Sequence, residues 1–264
     1  MKAVQISDYG DRENLELREI EVPTPRVGEA LVQLDYAGIN FIDVYMRQGD
    51  YRNSSTYGTP LPFTLGMEGA GTIVDANGVQ GISVGDHVAY CLSRGSYAEY
   101  AAVPAWKLVE IPTSMDPAVA TVLMLQGCTA HYLSHSLFPI RAEQWCLVHA
   151  GAGGVGQLLI QLAKARGAKV ITTVGSAGKA EIVKELGADH VVLYLEDDFY
   201  QVVQELTGGQ GVHVVYDAVG ADTIDRSIRS LRTRGTCVNY GGSSGLVENV
   251  RPLDLADAGS TFFT

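Results

Sequence analysis

The chain has 264 residues, 46% of them hydrophobic, and a formal net charge of −11 at pH 7. That length accommodates one large domain or two modest ones, and no apolar run reaches the ~18 residues that a membrane span needs. The acidic balance argues against nucleic-acid partners, which require a basic patch; the densest basic run, Arg226 to Arg234, reads as the solvated face of a helix.

The first residues, MKAVQISDYGD, have neither signal-peptide nor transit-peptide character, so a soluble, cytoplasmic protein is expected. Up to about residue 125, short apolar runs alternate with glycine and proline. Examples are ALVQLDYAGI (30–39), GAGTIVDA (69–76), DHVAYC (86–91) and AEYAAV (98–103). Such punctuation predicts a β-rich domain with many turns.

From residue 145 onward, strands and helices alternate. Strands are expected at 145–150, 169–174, 190–194, 212–219 and 236–241, and helices at 155–167, 179–187, 199–208 and 222–231. The final STFFT reads as a sixth strand. Strands joined by helical crossovers imply a parallel, doubly wound sheet. The expected division is therefore a β-rich domain over 1–124 and an α/β nucleotide-binding domain over 125–264. The four cysteines, Cys91, Cys128, Cys146 and Cys237, form no CxxC pair, which argues against a zinc ribbon and against a disulfide framework.

Gly151-Ala152-Gly153-Gly154-Val155-Gly156 fits G-x-G-x-x-G. The pattern gains its weight from an apolar strand before it and an amphipathic helix after it. Gly151 permits the tight turn, Gly153 lets the backbone approach a pyrophosphate, and Gly156 lets the helix pack close to the sheet. The helix N-terminus offers N–H groups to the phosphates. An acid normally follows about 20 residues on, to hold the ribose 2′-hydroxyl. Here that place holds Gly175 and Ser176, with Lys179 just beyond. Space, a hydroxyl and a cation suit a 2′-phosphate, so NADP(H) is expected over NAD(H).

Two further patterns compete. His131 and His135 stand at i and i+4, but Tyr132 occupies the place where the metalloprotease motif needs glutamate, and an ordinary helix is the better reading. Gly241 to Gly245 fits G-x-S-x-G, yet no histidine follows Ser243 as the hydrolase order requires. A glycine-rich strand-to-helix turn is expected there instead. Glu68 is expected in a buried polar network, and Tyr45 is a candidate hydrogen-bond donor to a carbonyl oxygen.

Taken in order, the segments 38–51, 65–73, 85–90, 126–133, 149–156, 174–181, 187–192, 216–220 and 240–245 resemble the medium-chain dehydrogenase/reductase superfamily, in particular its zinc-free quinone oxidoreductase branch. The resemblance covers essentially the whole chain. It implies a GroES-like N-terminal domain and a Rossmann domain with a six-stranded parallel sheet. It also implies NADPH-dependent, metal-free reduction of quinones in a cleft between the domains. The zinc-dependent relatives place a cysteine near Asn40 and a histidine where this chain has Met67, so no metal is expected.

Carried over residue by residue, the resemblance puts Gly153, Gly154 and Val155 at the pyrophosphate. It puts Gly175, Ser176, Lys179 and Tyr194 at the adenosine 2′-phosphate, and Asn40, Gln126 and Thr129 at the nicotinamide end. Val219, Gly220, Tyr240, Gly241 and Ser243 fall on cofactor-facing strand ends. Asp43, Tyr45 and Tyr51, with Asn40, border the substrate cleft. Members of the family continue for several dozen residues past the sixth strand, with a segment that completes the N-terminal domain; the resemblance implies that this chain lacks it. Reduction of an enal or enone double bond is the neighbouring alternative, and a non-catalytic NADPH-binding protein is the alternative of another class. Pairing of the last strand across a two-fold axis implies a homodimer.

Overall fold

The short apolar runs of the first half become antiparallel strands, and the alternating second half becomes a parallel sheet. The computed structural model describes all 264 residues and divides into two compact units, Met1–Gln126 and Gly127–Thr264.

The first unit runs β1 (Lys2–Ile6), β2 (Glu16–Glu19), β3 (Glu29–Ala37), α1 (Phe41–Gln48), β4 (Phe63–Thr64), β5 (Glu68–Asp75), β6 (His87–Cys91), β7 (Tyr100–Pro104), β8 (Val109–Glu110) and α2 (Pro117–Val122). Two antiparallel sheets result, of order β2-β1-β4 and β7-β3-β5-β6-β8. Alternation decides which side chains go inward: Ala30 and Val32 from β3 meet Ala101 and Val103 from β7, with Ile73 and Tyr90, in one core. A second core gathers Ile6, Met46, Phe63, Leu65 and Met67. Met46 thereby ties α1 to the smaller sheet, and α1 carries several of the expected site residues.

The second unit runs α3 (Cys128–Tyr132), β9 (Trp145–Val148), α4 (Gly154–Ala165), β10 (Lys169–Val174), α5 (Ala177–Glu185), β11 (His190–Leu193), α6 (Phe199–Leu206), β12 (Val212–Asp217), α7 (Ile224–Arg229), β13 (Leu231–Asn239), α8 (Pro252–Asp257) and β14 (Phe262–Phe263). The expected six-stranded, doubly wound sheet is present, with order β11-β10-β9-β12-β13-β14 and every pair parallel. Its central strands, β9 and β12, bury apolar side chains on both faces because each face is covered. In β9, Cys146 and Val148 enter one core and Leu147 the other; in β12, Val214 and Tyr216 join the first and Val215 the second. Helix α4 buries Gly156, Leu159, Ile160 and Ala163, the one-face spacing of an amphipathic helix. Leu159 and Ile160 each contribute roughly 1.5–3 kcal/mol by that burial.

Some expected boundaries move for local reasons. β9 stops at Val148, two residues early, because Ala150 turns to φ 51°. α5 begins at Ala177, so Lys179 is its third residue. The arginine run is not one helical face. α7 ends at Arg229, and Leu231, 5% exposed, starts β13 by pairing with Val212. Arg232 and Arg234 therefore belong to the strand, while Arg226 lies over the Phe199 ring at 4.7 Å.

Candidate functional site

In the second unit, the turn between β9 and α4 is fixed by backbone bonds. The Gly151 N–H donates to the Thr173 carbonyl at 3.1 Å, and the Gly153 N–H to the Ala150 carbonyl at 2.8 Å. Gly153 is the N-cap of α4 and no side chain caps that helix, so its first-turn N–H groups are left for an anion. A Cβ at Gly156 would stand 2.5 Å from the Ala150 oxygen, which only glycine avoids. This turn fits the pyrophosphate of a dinucleotide: donors are supplied, and the space is kept by missing Cβ atoms.

Beneath the turn lies a buried polar chain that sequence reasoning missed. His149, 1% exposed, has Nδ1 3.0 Å from Thr173 Oγ1 and Nε2 3.0 Å from Ser227 Oγ. Ser227 Oγ donates to Asp217 Oδ2 at 2.7 Å. Asp217 Oδ1 accepts from the N–H groups of Val219 and Gly220, at 2.8 and 2.9 Å, and Thr223 Oγ1 donates to the carboxylate as well. The Ser227 proton is committed to Asp217, so His149 Nε2 is the donor to Ser227 and Nδ1 accepts from Thr173. That tautomer is neutral. Burial lowers the His149 pKa, against the pull of Asp217 and with a push from Arg226. The chain ties the turn at Ala150, whose N–H donates to Thr173 Oγ1 at 3.3 Å, to the loop at Val219 and Gly220. The signals in the sequence were polar residues ending apolar strands: the histidine of WCLVH and the aspartate of VHVVYD.

After β10, the structure brings Gly175, Ser176, Lys179 and Tyr194 together. A Cβ on Gly175 would meet the Tyr194 hydroxyl at 2.7 Å; the missing side chain makes room for that ring. Ser176 is the N-cap of α5, its Oγ accepting from the Lys179 N–H at 3.4 Å. The hydroxyl expected for a ligand thus already has a capping role. The first turn of α5 holds no acid. Lys179 is exposed and takes part in none of the ion pairs of the structure.

The ends of β12 and β13 also meet. Tyr240 N–H donates to the Asp217 carbonyl at 2.9 Å, Ser243 N–H to Ala218 at 3.1 Å, and Ser244 N–H to Val219 at 2.9 Å; Asn239 Nδ2 donates to the Gly241 carbonyl at 2.9 Å. This brings Val219 and Gly220 beside Tyr240, Gly241 and Ser243. The expected strand-to-helix turn at Gly241–Gly245 is a longer loop, since α8 starts only at Pro252. Thr129 lies half-buried in α3. In the same stretch, the His131 and His135 rings stack at 4.0 Å. No group of three His, Cys, Asp or Glu side chains comes together to hold a metal ion.

In the first unit, Asn40 is the N-cap of α1, but its side chain is wired elsewhere. Asn40 Nδ2 donates to Glu68 Oε2 at 2.8 Å, and Asn40 Oδ1 accepts from Gln126 Nε2 at 3.2 Å. Glu68 is fully buried and its Oε1 accepts from the Leu125 N–H, the buried polar network expected for it. Burial raises its pKa, with the Asn40 bond pulling the other way. Gly38 is required here, since a Cβ would fall 1.9 Å from Glu68 Oε2.

Asp43, 5% exposed, accepts at Oδ2 from the Asn40 N–H at 3.0 Å and from the Tyr97 hydroxyl at 2.8 Å. Its Oδ1 is buried with no partner. Burial raises its pKa to about 6, even though both hydrogen bonds favour the ionised form. Tyr45 and Tyr51 fall in an aromatic row. Phe41 lies 5.3 Å from Tyr45, Tyr45 lies 6.2 Å from Tyr51, and Tyr51 lies 5.4 Å from Tyr57. The structure thus joins Asn40, Asp43 and Gln126 in one polar network and Tyr45 and Tyr51 in a neighbouring aromatic one. Tyr97 and Tyr57 were missed, because nothing in their local sequence distinguishes them from core aromatics.

Both units of the chain are similar to known proteins. Residues 26–113 match the alcohol dehydrogenase GroES-like domain, and residues 154–263 match the zinc-binding dehydrogenase family. The chain is 39% identical over 263 residues to quinone oxidoreductase 1 of Escherichia coli K12, covering 99% of this chain and 79% of that protein. It is 38% identical over 267 residues to a 2-haloacrylate reductase of a Burkholderia species, covering 99% and 80%. The crystal structure of an Escherichia coli quinone oxidoreductase complexed with NADPH superposes with a TM-score of 0.94 at 38% identity, covering 100% of this chain and 80% of that one. The chain belongs to the quinone oxidoreductase branch of the medium-chain dehydrogenase/reductase superfamily.

Proposed function

We propose that the protein is an NADPH-dependent reductase of quinones that works without a metal ion. The observation that carries this reading is an uncapped glycine-rich helix start followed by an acid-free turn bearing Lys179. Family membership and an NADPH-bound relative support it. NADPH would supply the hydride; the chain's part is to bind, orient and balance charge. In this reading residues 125–264 form the nucleotide-binding domain and 1–124 the substrate domain. Gly153, Gly154 and Val155 hold the pyrophosphate; Gly175, Ser176, Lys179 and Tyr194 take the 2′-phosphate. Val219, Gly220, Tyr240, Gly241 and Ser243 border the cofactor, and Asn40, Gln126 and Thr129 orient the nicotinamide end.

Charge that develops on the acceptor oxygen needs donors. Tyr45 and the second Asn40 amide hydrogen are the groups we assign, beside the wall made by Tyr51. Burial raises the Asp43 pKa to about 6, and Oδ1 is the oxygen left to take a proton, since Oδ2 already accepts two hydrogen bonds. We place the protein in the cytoplasm as a homodimer joined at β14. That strand is the edge of its sheet and carries Phe262, 60% exposed. No helix is long and apolar enough to cross a membrane.

The neighbouring reading, reduction of an activated C=C bond, is favoured by the similarity to a 2-haloacrylate reductase. Steady-state NADPH oxidation with an ortho-quinone and with an enone as alternative acceptors separates the two. Turnover of the quinone is expected. Tight NADPH binding with no turnover of either acceptor would leave only a non-catalytic nucleotide-binding role.

A further inference from the structure

A concavity of about 430 Å³ opens within the first unit, walled by Met46, Tyr57, Met67, Arg94, Trp106 and Lys107 among others. Its size is that of a small-molecule site, ~300–1,000 Å³. Two of these residues are cations, and neither belongs to any ion pair. Only seven of the 19 basic side chains form ion pairs; what sets these two apart is that both are partly buried and line one concavity. Arg94 is half-buried; one N–H donates to the Gly58 carbonyl at 2.7 Å, and the guanidinium lies 4.9 Å from the Phe63 ring. Four of its five donors remain. Lys107 Nζ donates to the Leu92 carbonyl and lies 5.1 Å from the Trp106 ring. Both cations are thus held in place by carbonyls and aromatic faces that leave their charge unneutralised. A partly desolvated cation without an anion is costly, and a ligand carrying one relieves that cost.

The concavity adjoins the site described above. Met46 lies on α1 with Asp43 and Tyr45, Met67 precedes Glu68, and Tyr57 ends the aromatic row that begins at Phe41. An acceptor stacked along that row would extend its far substituent toward Arg94 and Lys107.

We propose that this concavity binds the anionic substituent, carboxylate or sulfonate, of an aromatic or conjugated carbonyl acceptor, with Arg94 and Lys107 as its counter-charges and Tyr57 and Trp106 as its apolar walls. The proposal deepens the reductase reading and rests on it for the word acceptor. The test uses a matched pair of substrates, 9,10-phenanthrenequinone and 9,10-phenanthrenequinone-2-sulfonate, with the 264-residue wild type, Arg94→Gln and Lys107→Gln. The ratio of kcat/KM for the sulfonated over the neutral quinone falls roughly tenfold in each variant, as loss of a charge-assisted hydrogen bond dictates. Equal loss on both quinones would overturn the assignment.

Direct calorimetric titration with 1-naphthalenesulfonate, 1-naphthoate and sodium sulfate reads the site without turnover. The two aromatic anions bind wild type and lose roughly tenfold in affinity in either variant. Binding of sulfate as tight as that of the aromatic anions would mark an inorganic-anion site and overturn the proposal, as would no binding at all. Aromatic-anion binding that is sensitive to both cations, with no turnover of either quinone, would instead fault the reductase reading and leave the anion site standing.

Discussion

Replacing Lys179 with alanine tests the cofactor assignment most directly. The side chain is exposed, stands in the first turn of α5, and has no acidic neighbour in that turn. The substitution therefore costs the fold little: alanine is the best helix former, and no ion pair is broken. The effect on a 2′-phosphate is a different matter. Unit charges ~4 Å apart attract by about 1 kcal/mol in bulk water and about 4 kcal/mol at the effective dielectric of a protein surface. A charge-assisted hydrogen bond contributes about 1.5–3 kcal/mol net. The exposed position places the loss at the lower end, about 1–2 kcal/mol, or roughly 5- to 30-fold in Kd. NADH lacks the 2′-phosphate, and its affinity should change by less than about twofold. Fluorescence titration of wild type and Lys179→Ala with both nucleotides supplies the four constants. The difference should shrink as salt is added, since the pair is open to solvent. Equal affinity of wild type for NADPH and NADH, or an equal loss of both in the variant, would refute the 2′-phosphate reading.

Two more outcomes are expected. Asp43 has its pKa raised from 3.8 to about 6 by burial, so the fold favours its protonated form. Its ionisation costs nothing below pH ~4, costs progressively more through the window between the two values, and costs about 3 kcal/mol above it. Urea unfolding across that window should show Asp43→Asn gaining stability relative to wild type as pH rises; a difference that stays flat would contradict the burial argument. Ser227→Ala interrupts the chain between His149 and Asp217 and leaves buried polar groups unpartnered. It should destabilise by about 1–3 kcal/mol and also weaken NADPH binding, because the chain ties together the two loops assigned to the cofactor; an unchanged Tm together with unchanged affinity would show that the chain braces neither.

The sheet was legible because its physics is local. Strands covered on both faces must be apolar throughout, and the helix between Gly154 and Ala165 must repeat its apolar face every three to four residues; both patterns stand in the sequence. The glycine-rich turn was legible because its G-x-G-x-x-G stands between an apolar strand and an amphipathic helix. Side-chain wiring was not. Asn40 and Glu68 are 28 residues apart, Asp43 and Tyr97 54, and His149 and Ser227 78. No periodicity encodes which distant hydroxyl faces which carboxyl. The role of Ser176 was half legible: a serine before a helix is a cap as readily as a ligand, and here its oxygen meets the Lys179 N–H.

Burial separates two functions that a nucleotide site must combine. The groups that hold the shape of the loops assigned to the cofactor, His149, Ser227 and Asp217, are at most 1% exposed and each bonds two or more partners. Changing any one leaves an unpaired polar atom in a low-dielectric interior, so the penalty falls on the fold itself. The groups assigned to the 2′-phosphate, Ser176, Lys179 and Tyr194, are exposed, and Gly175 borders only the movable end of the Tyr194 ring. Changing these alters the charge and shape offered to the ligand while the sheet beneath stays intact. With the sites assigned as proposed, nucleotide binding and the choice between NADPH and NADH are separable: the loops assigned to the first are braced from the core, and the turn assigned to the second lies on the surface, where a single acidic substitution at Gly175 or Ser176 would act on the ligand before it acted on the fold.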